Sequence, residues 1–159
     1  MRVTCVSLLA FCATAAADPT GMAAMQYFVG TWSCNGGPVG TPPLHISVTF
    51  VMNSGILREW DEMRIPGQAS PYTISKSISY DVKNERWVQM QVDSDGAWIV
   101  SYLKPWTGNT EEWMDQAAYN AKLRRNETIR TSANAFAFSG YANAADTKPD
   151  FRGTCTRSS

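Results

Sequence analysis

Along residues 44–52 apolar and polar side chains alternate. Leu44, Ile46, Val48, Phe50 and Met52 fall on one face, and His45, Ser47 and Thr49 on the other. A period of two is that of a half-buried β-strand. The pattern returns at 72–80, where Tyr72, Ile74, Ile78 and Tyr80 alternate with Thr73, Ser75, Ser77 and Ser79. Further strands are predicted at 30–34, 56–65, 86–93, 97–104, 110–119, 127–131, 135–141 and 151–156. Residues 22–29 differ. Met22, Met25 and either Phe28 or Val29 share a helical face, which predicts one or two helical turns before the first strand.

Turn chemistry separates these segments. Asn53-Ser54-Gly55, Ser94-Asp95-Gly96 and the Pro- and Gly-bearing stretches 66–71 and 105–109 all favour reversals. Residues 36–43 read as a loop by composition, and 142–149 as a polar surface loop. Nine to ten strands joined by short turns, with no linker and no internal repeat, predict an all-β chain folded as a single antiparallel barrel or sandwich. Cys34 lies in the first predicted strand and Cys155 in the last. Those two strands are neighbours in a closed up-and-down barrel, so this placement favours closure.

The N-terminus reads as a secretory signal. Arg2 gives a positive start, 3–13 a short apolar run, and Ala15-Ala16-Ala17 a small-residue cleavage site. The expected organisation is a signal peptide over 1–17 and a β-barrel domain over 18–159. A lipoprotein signal is set aside, because Phe11 before Cys12 is not small. The apolar run is too short for a membrane-spanning helix, which needs about 20 residues, and no later stretch is longer. Export, to the periplasm or the medium, removes Cys5 and Cys12 and leaves Cys34 and Cys155. One disulfide is the simplest outcome in an oxidising compartment, with two buried thiols as the alternative.

Composition narrows the function. Fourteen basic groups balance fourteen acidic ones. Zero net charge argues against a nucleic-acid partner or a polybasic membrane module. Phosphate loops, dinucleotide fingerprints and zinc spacings are absent from the sequence. No cofactor and no metal site are expected.

From Phe28-Val29-Gly30-Thr31-Trp32 onward the chain resembles the calycins, the group of lipocalins and fatty-acid-binding proteins. Ser79-Tyr80-Asp81, Arg86-Trp87-Val88, Asp93-Ser94-Asp95-Gly96 and Trp106-Thr107-Gly108-Asn109-Thr110 look like successive barrel hairpins. They are similar to exported bacterial proteins of the domain-of-unknown-function 1579 type. The resemblance spans roughly 22–156 and implies a lipocalin-like barrel with an internal cavity, but no activity. Nitrobindin-type haem barrels would be more distant relatives. They need an axial His late in the chain, and no His follows His45, which argues against haem.

The candidate chemistry is sparse. His45, the single imidazole, sits on the polar face of its strand, where solvent is the ordinary environment. No Ser-His-Asp or Cys-His set can be assembled, so no catalytic residue is expected. Asp61 and Glu62 are adjacent and must point to opposite faces. Asp93 and Asp95 suit a turn, and all the acidic clusters, including Glu111-Glu112, are read as solvated. Lys76 is the exception, because it interrupts the apolar face 72–80. A charge there is costly unless paired or wet. An anionic ligand in a wet cavity, a side chain snorkelling at the barrel mouth and a local register break would each account for it. Arg58 and Arg64 share a face with Trp60 and could join such a site.

Six Trp and six Tyr either wall a pocket or simply fill the core. The expected function is binding of a small, partly apolar or anionic molecule. Trp60, Tyr80 and Trp98 would be aromatic lining, and Lys76 and Arg58 polar anchors. The alternative is a structural or protein-interaction module whose barrel is filled by its own side chains. A cavity below about 300 Å³ would favour that alternative.

Overall fold

The computed structural model describes residues 21–158, so the expected leader over 1–17 lies outside the described residues. A short helix, α1 (Met22–Gln26), precedes ten strands: β1 (Gly30–Pro38), β2 (Leu44–Asn53), β3 (Ile56–Met63), β4 (Tyr72–Asp81), β5 (Arg86–Asp93), β6 (Trp98–Leu103), β7 (Thr110–Tyr119), β8 (Arg125–Ser132), β9 (Ala135–Tyr141) and β10 (Phe151–Arg157). Each strand pairs antiparallel with the next, and β1 pairs with β10, which closes the barrel. Full closure leaves no unpaired sheet edge.

Closure places Cys34 opposite Cys155 in the β1–β10 ladder, and the two form a disulfide with Cα atoms 4.0 Å apart. Such bonds are characteristic of oxidising, non-cytoplasmic environments. No helix among the described residues is long and apolar enough to cross a membrane.

The structure lengthens β1 beyond its expected end. Residues 36–38 continue the ladder to β10 instead of forming a loop. The glycines there serve close packing. A Cβ on Gly36 would stand 2.7 Å from the ring tip of Phe138 and 2.9 Å from the carbonyl oxygen of Arg152. Gly153, directly across the ladder, is equally crowded beneath Phe138. Absent side chains let the Phe138 ring lie over two backbones, so glycine here extends a strand.

Helix α1 seals one end. Gly30, at φ 128°, turns the chain from the helix into β1 in a conformation that other residues rarely adopt. The turn delivers Trp32 to the centre of the plug, fully buried, with its indole N–H donating to the Phe28 carbonyl at 2.7 Å. Phe136 packs edge-on against its ring, and Phe28 bridges Phe136 to Phe50. Arg157 lies over the Trp32 ring and donates to the carbonyls of Val29 and Tyr27, both at 2.6 Å. The last strand thus locks the helix in place.

Candidate functional site

A cavity of about 600 Å³ fills the rest of the barrel. Its exposed lining residues are Pro38, at the end of β1, and Asp95, Asn120, Lys122 and Asp150, in the connections β5–β6, β7–β8 and β9–β10. These lie at one end of the barrel, which is its mouth. Helix α1 packs at the opposite end, where the Tyr27 hydroxyl donates to the carbonyls of Ser132 and Ala135, which flank the β8–β9 connection.

The two sides of the cavity differ in chemistry. On β2, Ile46, Val48 and Phe50 face inward, as the alternation predicts. With Phe136, Phe138 and Phe151 from β9 and β10 they make an apolar wall. Across the barrel, β3, β4 and β5 carry polar groups inward. The register aligns Glu59, Lys76 and Gln91 in one lateral row, and Asp61, Ile74 and Asp93 in the next.

Lys76 is the centre of this wall. Its ammonium group donates to Glu59 Oε1 at 2.5 Å and lies 3.5 Å from Asp61 Oδ2. Burial works against its charge, but Asp61 and Glu59 outweigh that cost and raise its pKa. Asp61 is only 7% exposed. Burial, then the negative charge of Glu59, push its pKa up to about 8 against the pull of Lys76. Its Oδ1 is buried and has no hydrogen-bond donor among the described residues. Closer to the mouth, Asp93 is fully engaged, accepting from the Tyr72 hydroxyl and from Gln91 Nε2, each at 2.8 Å.

A second buried carboxylate, Glu111, lies near the plug. Burial raises its pKa to about 7, and Arg130, donating at 2.8 Å, opposes that rise. The Arg130 guanidinium also stacks over the rings of Tyr27, Phe28 and Trp106. This contact ties the floor of the cavity to the helix.

Of the five residues expected to bind a ligand, Lys76 alone lines the cavity. Arg58 and Trp60 point outward, and Trp60 is 50% exposed. The reason is parity. Leu57, Glu59, Asp61 and Met63 take the inner face of β3, so their neighbours Arg58 and Trp60 must take the outer one. Trp98 also faces outward, at 38% exposure. The register lines it up on the outer surface with Val92 and Tyr119 on one row, continuing through Ser75 to Trp60. Tyr80 points inward but packs edge-on against Trp87, outside the cavity lining. His45 is exposed, as its face predicts.

Glu59, Asp61 and Glu111 were not expected inside. The signal for the first two is their shared parity with Leu57 and Met63 and the charge opposite them at Lys76. Their presence also alters the reading of Lys76. An ammonium group already matched by two carboxylates has little left to offer an anion.

Fold and cavity together define a closed ten-stranded antiparallel barrel with a calycin-like layout, plugged by a helix at one end and hollow at the other. Comparison with known proteins agrees with this class. The solved structure of Rv2717c from M. tuberculosis is similar over 87% of this chain and 98% of that chain, with TM-score 0.62 and 14% identity. A redesigned beta barrel (TM-score 0.47, 14% identity, covering 86% of this chain and 96% of that chain) and a de novo designed fluorescence-activating beta barrel (0.44, 15%, covering 85% and 97%) resemble it less. At these identities the likeness is one of fold. No family model matches the chain, so the resemblance to the domain-of-unknown-function 1579 proteins rests on its motifs. No curated protein matches either.

Proposed function

We propose that this is an exported barrel that carries or captures a small, partly apolar molecule in its interior. The observation that carries the proposal is the two-sided cavity. Its volume of about 600 Å³ lies within the range of small-molecule sites, roughly 300–1,000 Å³. A barrel that serves only as a scaffold gains stability by filling that space, since voids forfeit packing energy. It would also gain by replacing the buried charges of β3 and β4 with apolar side chains. Export rests on the signal-like segment 1–17 and is supported by the disulfide.

Native mass spectrometry of protein purified from its own host tests this reading, paired with the denatured mass. A retained small molecule that vanishes on denaturation is the expected result. The denatured mass should also show cleavage after Ala17 and the loss of two hydrogens per disulfide. A bare barrel that takes up no apolar small molecule when soaked would defeat the binding function.

One surface feature favours the alternative, a protein-interaction module. The outer row containing Trp60, Val92, Trp98 and Tyr119 exposes large apolar side chains on adjacent strands. Such patches are commonly contact sites. If this row is the working surface, replacing Trp60 and Trp98 with Ser will abolish partner capture and leave small-molecule binding intact.

A further inference from the structure

The chemistry of the polar wall goes further than the presence of a cavity. Two carboxylates, Glu59 and Asp61, share one ammonium group, Lys76. Asp61 is more than nine-tenths buried, lines the cavity, and has one carboxyl oxygen without a donor. A buried acceptor left unmatched costs about 1–3 kcal/mol, more when charged, so the cluster is short of one donor. With both carboxylates ionised it is also short of one positive charge.

The rest of the lining has the same sign. Seven carboxylates face the cavity against two lysines. Glu111 and Glu127 are matched by Arg130 and Arg125, at 2.8 and 3.3 Å. That leaves Glu59, Asp61 and Asp93 against Lys76 within the barrel, and Asp95 and Asp150 against Lys122 at its exposed mouth, an excess of carboxylates over lysines at both levels. Like charges within the barrel are weakly screened, and a cation entering the cavity meets a favourable field throughout.

We infer that the interior selects a cationic amphiphile: a small molecule with an apolar body and a protonated amine, its ammonium held between Asp61 and Glu59 and its body against β2, β9 and β10. The inference rests on the ligand-binding function proposed above. Burial and the neighbouring Glu59 charge raise the Asp61 pKa, so a proton offsets the cluster's excess charge until a cation displaces it. An ammonium group supplies the same compensation and brings three donors with it. An anion meets the opposite situation, because both Lys76 contacts are already taken by carboxylates.

Three probes of matched shape test this by isothermal titration calorimetry at neutral pH: 2-naphthylmethylamine, 2-naphthylmethanol and 2-naphthylacetate. The amine should bind at least about tenfold tighter than the alcohol, and the acetate weakest, as expected for one charge-assisted hydrogen bond. Asp61→Asn should remove the amine's advantage over the alcohol. Glu59→Gln provides the same test should Asp61→Asn fail to fold, as judged by circular dichroism. Acetate binding equal to or tighter than amine binding overturns the inference and returns Lys76 to the role of anion anchor. Equal affinity for amine and alcohol overturns it too, while the binding function survives. Failure of all three probes to bind removes both.

Discussion

The two walls of this barrel are built on opposite principles. The wall of β10, β1 and β2 is apolar within, stapled by Cys34–Cys155 and closely packed at Gly36 and Gly153. The wall of β3, β4 and β5 places Glu59, Asp61, Lys76 and Gln91 inside the same cavity. The first arrangement is what folding alone favours, since burying hydrocarbon is stabilising and a cross-link narrows the unfolded ensemble. The second is one that folding alone does not favour, because desolvating charges offsets much of their attraction. The contrast separates a wall that holds the barrel closed from a wall that addresses its contents.

The largest effect should come from the stapled wall. Replacing both Cys34 and Cys155 with Ala removes a link spanning 121 positions, and stability should fall by about 4–5 kcal/mol in the chain-entropy model. Denaturant titration of the oxidised protein against the variant measures it. An unchanged midpoint would mean that the bond contributes nothing to closure.

On the polar wall, Lys76→Met strands two buried carboxylates and should cost about 3–5 kcal/mol. A triple variant, Glu59→Leu, Asp61→Leu and Lys76→Met, should recover most of that loss and lose selectivity among the charged probes. A triple variant as unstable as the single one would show that the charges hold the fold rather than serve binding.

pH should act on the same wall. Asp61 and Glu111 hold their protons more tightly in the folded chain than in the unfolded one, with pKa values raised to about 8 and about 7. Between the normal carboxylate range and those values the native state binds more protons, so stability must fall as pH rises. Urea midpoints should therefore decline from about pH 4 to about pH 8. Asp61→Asn should flatten the upper part of that decline, leaving the Glu111 contribution. A midpoint that rises over this interval would contradict the burial of both groups.

The smallest effect belongs to the outside of the polar wall. Trp60→Ser should change stability by no more than about 0.5 kcal/mol, since the side chain is half exposed, and should leave probe affinities unchanged. A tenfold loss of affinity would bring Trp60 back to the ligand site.

The fold was largely legible because period-two alternation and turn chemistry are local signals. Strand β2 shows this best: one uniformly apolar face admits one orientation, and Ile46, Val48 and Phe50 are buried as expected. Strand β3 was ambiguous for the same physical reason. Ile56, Arg58, Trp60 and Glu62 mix polar and apolar groups on one parity, and Leu57, Glu59, Asp61 and Met63 do so on the other. Trp60 makes the wrong face look like the core. Shifting a strand's facing by one residue exchanges its two faces entirely, so Glu59 and Asp61 were hidden behind Arg58 and Trp60.

The sequence by itself determined most of the strands, the turns between them, the helical turn before β1 and the anomaly of Lys76, and it favoured the pairing of Cys34 with Cys155. Each depends on neighbours a few residues apart or on a short count of cysteines. The tertiary structure decided that the barrel is hollow, which end is open, and what surrounds Lys76. Those depend on how ten strands curve around a common space, and on the ladder register that carries Glu59 and Asp61 to Lys76 from a different strand. A buried charge can be noticed in one dimension, but its partners are chosen by closure in three.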